Sequence, residues 1–244
     1  MNAMLFAAGM GTRLKPLTDT MPKALVQIGG KPLIDIALHR LKKAGAERVV
    51  VNVHHFADQI ERHLAGRDYG LDIVLSDERA KLLDTGGGLR HAATLLAAPG
   101  DERPLLIHNV DILSNADLAA FYGAHMHDAA ALLVSSRSSS RYLLFDDALC
   151  LKGWLNVQTG EVRSPFPGIC PERLHRFAFA GIHTFSPRLF PLLDDFPEKF
   201  SITDFYLSVC ARVPIRAHVA TDLRLLDVGK LDTLQKADDF LHLL

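Results

Sequence analysis

The order of apolar and polar positions along the chain predicts alternating strands and helices in its first half. An apolar run ends near Ala8, and residues 48–53 are rich in valine, which is typical of a buried strand. Between these two strands, residues 31–44 place apolar side chains on one helical face, and Gly45 ends that pattern. The pattern then repeats, with helices predicted over 56–64 and 89–96 and strands over 71–75 and 104–110. This alternation predicts a parallel sheet with right-handed crossovers, and therefore a Rossmann-like first half.

The rest of the chain is predicted to contain more strands. Ser201 and Asp204 form a capping box that opens a helix to about residue 211. The other elements predicted here are helices over 114–127 and 231–243, strands over 129–135, 213–219 and 223–226, and a strand pair beginning at 141–146. We therefore expect an α/β fold in which helices cover both faces of a mixed, mostly parallel sheet, as a single domain over residues 1–244.

Composition and charge narrow the class of protein and its partners. The chain has 244 residues, of which 48% are hydrophobic and 23% are charged, as expected for one large domain. Its net charge of −1 argues against nucleic acids and anionic membranes as partners, and no apolar run is long enough to span a membrane. A small-molecule partner is therefore expected.

Cysteine usage and the N-terminal pattern predict a cytoplasmic protein. Cys150, Cys170 and Cys210 are odd in number, widely spaced and outside any C-x-x-C motif, which favours free thiols in a reducing compartment. The apolar start is interrupted by glycines and runs into Arg13 and Lys15, which is unlike a signal peptide.

The loop after the first strand has the chemistry of a phosphate-binding loop. Gly9 and Gly11 allow positive φ angles and a close approach of backbone N–H groups to phosphate oxygens. Thr12 adds a hydroxyl donor, Arg13 a forked cation, and Lys23 a compact positive charge. The motif G-x-x-x-x-G-K-[ST] is missing, and so is the third glycine of a dinucleotide-binding loop, which argues against a dinucleotide oxidoreductase. An ordinary glycine-rich turn is the alternative.

Three later features also have the composition of ligand sites. Residues 82–89 carry three consecutive glycines before an apolar helical pattern, where N–H groups favour ligand acceptors; a flexible turn is the alternative. Asp111 follows a predicted strand at the edge where parallel sheets bind ligands, and a solvated carboxylate is the alternative. Asp227 likewise follows a predicted strand and precedes a helix.

Together these segments resemble the sugar-1-phosphate nucleotidyltransferase family. The opening match is Ala7-Ala8-Gly9-Met10-Gly11-Thr12-Arg13-Leu14, followed by Pro16-Leu17-Thr18, Pro22-Lys23 and Gly29-Gly30-Lys31-Pro32-Leu33. The likeness continues at residues 82–89, 109–111, 176–187, 201–204 and 226–229. It implies a three-layer Rossmann-like fold of the GT-A type, with a nucleotide-binding half over 1–135 and a small β-rich sugar-binding part within 136–244.

The resemblance also implies a reaction and a set of site residues. The family transfers a nucleotidyl group from a nucleoside triphosphate to a sugar 1-phosphate, with Mg²⁺ as cofactor, and releases pyrophosphate. Catalytic roles fall on Arg13 and Lys23. The implied nucleotide contacts are Ala8, Gly9, Gly11, Thr12, Arg13, Thr85, Gly86 and Gly87. Substrate contacts fall on Asn109 and Gly181, for which a β-bulge is the alternative. The implied metal ligands are Asp111 and Asp227.

The chain departs from the family pattern at points that concern the substrates. Val110 stands where the family usually has glycine, which adds bulk beside the nucleotide. The glycine that usually follows the equivalent of Arg141-Tyr142 is missing, and so is the E-K-P element that reaches the sugar phosphate. Arg141 is a candidate phosphate partner on charge and position, with a surface arginine as the alternative.

Several functions stay open at this point. Within the family, the chain most resembles short bacterial members that use UTP and N-acetylmuramate 1-phosphate, and then members that use GTP and mannose 1-phosphate. One alternative is a nucleotide-sugar-binding regulatory domain with little turnover. Another is a transferase with a different acceptor, either a cytidylyltransferase acting on phosphocholine or an enzyme acting on a heptose phosphate. The residues do not distinguish the base, the sugar or the oligomeric state.

Overall fold

The structure is a computed structural model, and it describes residues 1–243. Its strands are β1 Asn2–Phe6, β2 Gln27–Ile28, β3 Lys31–Pro32, β4 Arg48–Val53, β5 Asp72–Asp77, β6 Leu105–Asn109, β7 Ile112–Ser114, β8 Ala130–Ser135, β9 Arg141–Phe145, β10 Leu151–Asn156, β11 Val162–Arg163, β12 His175–Phe185, β13 Ile215–Val219 and β14 Leu225–Asp227. Its helices are α1 Leu33–Lys43, α2 Ala57–Ala65, α3 Asp84–His91, α4 Ala93–Leu96, α5 Leu118–Ala124, α6 Phe190–Leu193, α7 Ile202–Val209 and α8 Leu231–Leu241. None of the helices in this part of the chain is both long and apolar enough to cross a bilayer.

One mixed sheet of ten strands organises the fold. Strands β5, β4, β1 and β6 lie side by side in that order, and each pairs with its neighbour in parallel. Strand β12 is antiparallel to β6, and along its length it also pairs with β8 and β9. Strand β13 is parallel to β8, while β9, β10 and β11 form an antiparallel extension. The predicted α/β class is confirmed, and most of the antiparallel pairing lies in the second half.

Two apolar cores on opposite faces of the sheet give the fold three layers. Successive residues of β1 point to opposite faces, so that Leu5 belongs to one core and Met4 to the other. Helices α1, α2, α5 and α8 contribute to the Leu5 core, and helices α3, α4, α6 and α7 contribute to the Met4 core. The prediction of helices on both faces is therefore confirmed.

Two predicted helices begin later than the periodicity indicates. Helix α1 begins at Leu33, because residues 31–32 form β3 and pair with β2. Helix α5 begins at Leu118, because residues 112–114 form β7 and pair with β14. The Asp117 side chain caps α5 by accepting a hydrogen bond from the third residue after it. Apolar spacing alone predicts neither boundary, since both depend on pairing with distant segments.

Candidate active site

The loop after β1 is held in place by one buried side chain. Asn52, near the end of β4, accepts hydrogen bonds at Oδ1 from the Ala7 N–H at 2.7 Å and from the Ala8 N–H at 3.3 Å. Its Nδ2 donates at 2.7 Å to Oε1 of Glu78, which is also buried. Because these two amides already have an acceptor, the N–H groups left to meet a phosphate begin at Gly9, although Ala8 still lines the cleft.

The two glycines of the loop differ in what the fold requires of them. Gly11 has a φ of +63°, and a Cβ there would lie 2.8 Å from Cγ2 of Thr18 and 3.2 Å from Cβ of Lys23. The protein itself therefore requires glycine at this position. A Cβ on Gly9, by contrast, would meet nothing within 4 Å. The space beside Gly9 is thus an open cradle, free of protein atoms.

Lys23 and Asp111 form an ion pair beside this loop. Lys23 lies in a 3-10 turn after Pro22 and is only 8% exposed. Asp111 lies just past the carboxyl end of β6, and its Oδ2 accepts a hydrogen bond from the Lys23 ammonium group. Since a buried charge requires a partner, the pair fixes a positive and a negative group at the base of the cleft.

Asp227 and Arg13 lie at the same place. Strand β14 ends at Asp227, and the Val228 N–H after it donates to the main-chain oxygen of Asp111 at 2.9 Å. A Cβ on Gly229 would lie 2.6 Å from Oδ1 of Asp227 and 2.8 Å from a guanidinium nitrogen of Arg13. Glycine at this position therefore allows both side chains to approach the cleft. The structure brings together two aspartates that are far apart in sequence.

The electrostatics of the two carboxylates fit a divalent cation. Desolvation in the cleft, and then the charge of Asp111, raise the pKa of Asp227, although Lys23, Arg13 and Arg137 oppose that shift. A cation between the carboxylates would remove their repulsion. Magnesium is typically bound by one or two carboxylates together with water and substrate phosphates. Residues 1–243 contain no group of three or more His, Cys, Asp or Glu side chains able to hold a metal, so a cation here would also depend on phosphate ligands.

Helix α3 forms a wall of the cleft and begins at Asp84, earlier than the predicted start at residue 89. Its glycines therefore lie inside the helix, where they permit close packing. A Cβ on Gly86 would lie 2.3 Å from the Phe200 ring, and one on Gly87 would lie 2.4 Å from the Glu198 carbonyl oxygen. The amides of both glycines donate to the Phe200 carbonyl, at 2.9 and 3.3 Å. The alternative of a flexible turn is wrong, because each of these glycines is in contact with a neighbouring segment.

The three residues expected to hold the base are placed differently from one another. Thr85 lines the cleft, and its Oγ1 accepts a hydrogen bond from the Ile202 N–H at 2.9 Å. Gly86 and Gly87 are buried, so that of these three residues only Thr85 lines the cleft. In this arrangement the glycines support the wall, and the side chain that a base would meet is Thr85.

Asn109 lines the cleft, and Gly181 supports it from behind. Gly181 has a φ of +73°, and a Cβ there would lie 2.7 Å from Nδ2 of Asn109. The register of β12 against β8 shifts around this residue, so the β-bulge alternative is confirmed.

Val110 is 5% exposed and packs in the core, and its N–H donates to the Phe6 carbonyl at 3.1 Å. The Val110 side chain, which was expected to add bulk beside the nucleotide, therefore lies mostly in the core.

The cleft has a volume of about 690 Å³, which is in the size range of small-molecule sites, and its lining includes the glycine loop, Arg13, Lys23, Thr85, Asn109 and Asp111. Asp227 adjoins it beside Gly229. Sequence reasoning missed three side chains that line it: Asn52, Glu78 and Lys199. Burial raises the pKa of Glu78, although hydrogen bonds from Asn52 and from the Leu83 N–H oppose the shift. The signal for Asn52 is visible in the sequence, since it is a polar residue within a buried run of valines.

Comparison with known proteins gives relatives along part of the chain. A nucleotidyl transferase family model matches residues 2–142, which is more than half of the chain. The N-acetylmuramate alpha-1-phosphate uridylyltransferase of Caulobacter vibrioides is 53% identical over 112 residues, 45% of this chain and 45% of that protein. The mannose-1-phosphate guanylyltransferase catalytic subunit beta of Drosophila melanogaster is 31% identical over 160 residues, 63% of this chain and 42% of that protein. The chain thus spans about half the length, or less, of these curated relatives.

Solved structures share the whole fold. One is a UDP-glucose pyrophosphorylase complexed with UDP-glucose, which superposes with a TM-score of 0.77 at 19% identity. The superposition covers 99% of this chain and 98% of that one. At this identity the likeness concerns the fold, namely the mixed sheet and the helices on its two faces.

Proposed function

The chain belongs to the nucleotidyl transferase family, and on that basis we propose that it transfers a nucleotidyl group from a nucleoside triphosphate to a sugar 1-phosphate. The products would be a nucleoside diphosphate sugar and pyrophosphate. The observation that carries the proposal is the meeting of Lys23, Asp111 and Asp227 beside an open glycine loop.

This reaction requires control of charge more than a general base. The phosphate of a sugar 1-phosphate is dianionic near neutral pH, so one of its oxygens can attack the α-phosphorus directly. A new P–O bond forms there while the bond to the bridging oxygen of the β-phosphate breaks, and pyrophosphate leaves with that electron pair. Positive groups and N–H donors stabilise the charge shared among the phosphates in the transition state.

The residues of the cleft suit these tasks. The loop from Gly9 to Thr12 would hold the triphosphate, and Lys23 would stabilise the charge that develops at the α-phosphate. Arg13 projects beside Gly229 and would bind the β- and γ-phosphates with its forked donors. Thr85 would contact the base at the wall formed by α3.

Asp111 and Asp227 would hold Mg²⁺, which when bound supplies positive charge to the phosphates. Support for this assignment comes from the raised pKa of Asp227, which reflects a carboxylate that is desolvated and close to a second one. The two acids also adjoin Arg13 and Lys23, so the cation and the basic side chains would act on the same phosphates.

We propose UTP and N-acetylmuramate 1-phosphate as the first substrate pair, because of the 53% identity to the uridylyltransferase of Caulobacter vibrioides. GTP and mannose 1-phosphate form the second pair. With the first pair, the product would serve cell-wall synthesis. A cytoplasmic location suits the free thiols of Cys150, Cys170 and Cys210.

The proposal is tested by assaying the full chain with Mg²⁺ against four nucleoside triphosphates and a panel of acceptors. The acceptors are the 1-phosphates of glucose, mannose, N-acetylglucosamine and N-acetylmuramic acid, together with phosphocholine. Released pyrophosphate and the mass of the product are measured, and EDTA is the negative control. We expect one pair to dominate. Nucleotide binding without pyrophosphate release from any pair would contradict the proposal and favour a regulatory domain.

A further inference from the structure

A second pocket, of about 660 Å³, is lined by Asp227 together with Arg141, Trp154, Arg163 and Phe179. The residue after Asp227 donates its N–H to the main-chain oxygen of Asp111, which lines the first cleft. The second pocket therefore adjoins the place where the proposed reaction occurs.

One positive group of this pocket is already neutralised. A guanidinium nitrogen of Arg163 donates to Oδ1 of Asp204 at 2.7 Å, and the guanidinium carbon lies 4.0 Å from the centroid of the Trp154 ring. Asp204 is held in turn by the Ser201 hydroxyl, which donates to its Oδ2 at 2.7 Å. Glu161 also lines the pocket, 3.7 Å from the same guanidinium group, so this wall carries no net positive charge.

Two other arginines lie nearby, Arg137 on the segment between β8 and β9 and Arg141 as the first residue of β9, and their charges are not neutralised. Arg137 donates to the main-chain oxygen of Phe179 at 2.9 Å, which orients its guanidinium group and leaves the other donors available. Arg141 is exposed at the start of β9 and lines the pocket. Among the residues that the structure describes, neither guanidinium group forms an ion pair with a carboxylate.

The topology of the sheet explains why this segment reaches the reaction site. Strands β6 and β8 are both antiparallel to β12, so they run in the same direction. Their carboxyl ends therefore lie at the same edge of the sheet, where α/β folds bind ligands. Arg137 follows β8 at this edge, as Asp111 follows β6. The hydrogen bond from Arg137 to Phe179 holds it beside a residue that lines the same pocket as Asp227.

We propose that Arg137 and Arg141 bind the phosphate of the acceptor. This inference rests on the proposed function. The two forked cations match the oxygens of a phosphate dianion. They would supply the positive charge that the lysine of an E-K-P element provides, since this chain has no such element.

The test compares Arg137→Ala and Arg141→Ala with Arg188→Ala in steady-state assays. Arg188 is a matched control, since it is exposed and its guanidinium also donates to a main-chain carbonyl, at the opposite edge of the sheet. The substrates are UTP and N-acetylmuramate 1-phosphate, or whichever pair the wild-type protein uses best. Calorimetric titration of the same sugar phosphate, in the presence of a non-hydrolysable nucleotide, measures acceptor binding apart from turnover.

We expect each of the two variants to raise the KM and the Kd of the acceptor about tenfold, as the loss of one charge-assisted hydrogen bond does, with the KM of the nucleotide unchanged. Arg137→Lys should recover part of the loss, and Arg188→Ala should match the wild type. An unchanged acceptor KM in Arg137→Ala, or an equal rise in the nucleotide KM, overturns the inference. If the wild-type protein releases no pyrophosphate with any acceptor, the proposed function itself fails.

Discussion

Lys23 is a buried cation whose ion-pair partner, Asp111, is a proposed metal ligand. A buried ion pair by itself contributes little to the stability of a fold. We therefore expect the charge of Lys23 to serve catalysis, by acting on phosphate oxygens. We therefore expect Lys23→Ala to lower kcat by a factor of about 100 or more, as the loss of one transition-state contact does.

The control for this variant is Lys15→Ala. Lys15 lies on the same loop, but it is exposed and pairs with Asp19 at 3.0 Å. Pyrophosphate release is measured for both variants, and circular dichroism checks that each is folded. Near-normal turnover of Lys23→Ala would refute its catalytic role, because the other residues of the cleft would then be sufficient.

Gly9 offers a separate test of where the triphosphate lies. A Cβ at this position meets nothing in the protein, so Gly9→Ala should change the free energy of unfolding by less than about 1 kcal/mol. A phosphate in the open cradle would contact that Cβ, however, and the KM for the nucleotide should rise about tenfold or more. Gly66→Ala, at the end of α2, is the control. A Gly9→Ala protein with the wild-type nucleotide KM would show that the ligand lies elsewhere.

Asp227 illustrates a conflict between stability and function. Its raised pKa means that the ionised form is disfavoured in the fold without a cation, so its contribution to stability falls as the pH rises through the shifted value. Asp227→Asn should therefore raise the melting temperature in EDTA at pH 7, while lowering kcat by a factor of about 100 or more. Mg²⁺ with nucleotide should stabilise the wild-type protein more than this variant.

The control is Asp222→Asn, in the exposed turn before β14. It removes one negative charge from the same region without touching the pair of carboxylates. A lower melting temperature for Asp227→Asn in EDTA would show that Asp227 stabilises the fold as an ion-pair partner, and the argument for a metal at this position would fail.

At the scale of elements, α3 reverses the usual effect of replacing glycine by alanine in a helix. An open helical position gains about 0.5–1 kcal/mol from this change. At Gly86 the new Cβ would instead lie 2.3 Å from the Phe200 ring, which stacks on Phe196 with centroids 4.7 Å apart. We expect Gly86→Ala to destabilise the protein by about 1–3 kcal/mol through overpacking.

Gly123→Ala is the matched control, since Gly123 lies in α5 and a Cβ there meets nothing within 4 Å. It should stabilise the protein or leave it unchanged. Chemical denaturation of the two variants gives the difference in free energy of unfolding. A stabilising effect at Gly86 would mean that α3 can move away from the Phe200 segment.

The same helix shows which elements the sequence can predict and which it cannot. The strand over 48–53 is predicted with its observed bounds, because its valines make a buried strand whatever lies beside it. The start of α3 is not predictable in this way, because helix propensity disfavours three glycines in a row. Those glycines are helical because Phe200, Glu198 and Glu78 pack against them. These three residues lie outside α3, so the local sequence of the helix does not reveal the contacts.

At the scale of the whole molecule, the cleft depends on contacts between residues far apart in sequence. The opening motif predicts the glycine loop and Lys23, since they lie close together in the chain. Asp111 and Asp227 are joined only by the topology that brings β14 beside β7, so no local pattern links them. No role could be assigned to Glu78 or Arg137 from the sequence, because each is positioned by a hydrogen bond to a residue of another strand.

Two histidines buried in this fold make its stability dependent on pH. Burial lowers the pKa of His108 to about 4 and that of His183 to about 3, against about 6.5 in an unfolded chain. Between these values the unfolded state binds protons that the folded state does not. The free energy of unfolding therefore falls as the pH decreases below about 6.5, by up to about 1.4 kcal/mol per pH unit for each histidine.

His183 allows this slope to be measured, because its Nδ1 shares a hydrogen bond of 2.7 Å with the Tyr206 hydroxyl. Tyr206→Phe removes the hydroxyl but keeps the histidine, and adding His183→Phe removes the titrating group without leaving that hydroxyl unpaired. Denaturation at pH 7, 6 and 5 should show a shallower slope for the double variant than for Tyr206→Phe, by up to about 1.4 kcal/mol per pH unit. Equal slopes would mean that His183 is protonated in the folded state at pH 5. The interior around β12 would then hold a positive charge despite the burial of this histidine.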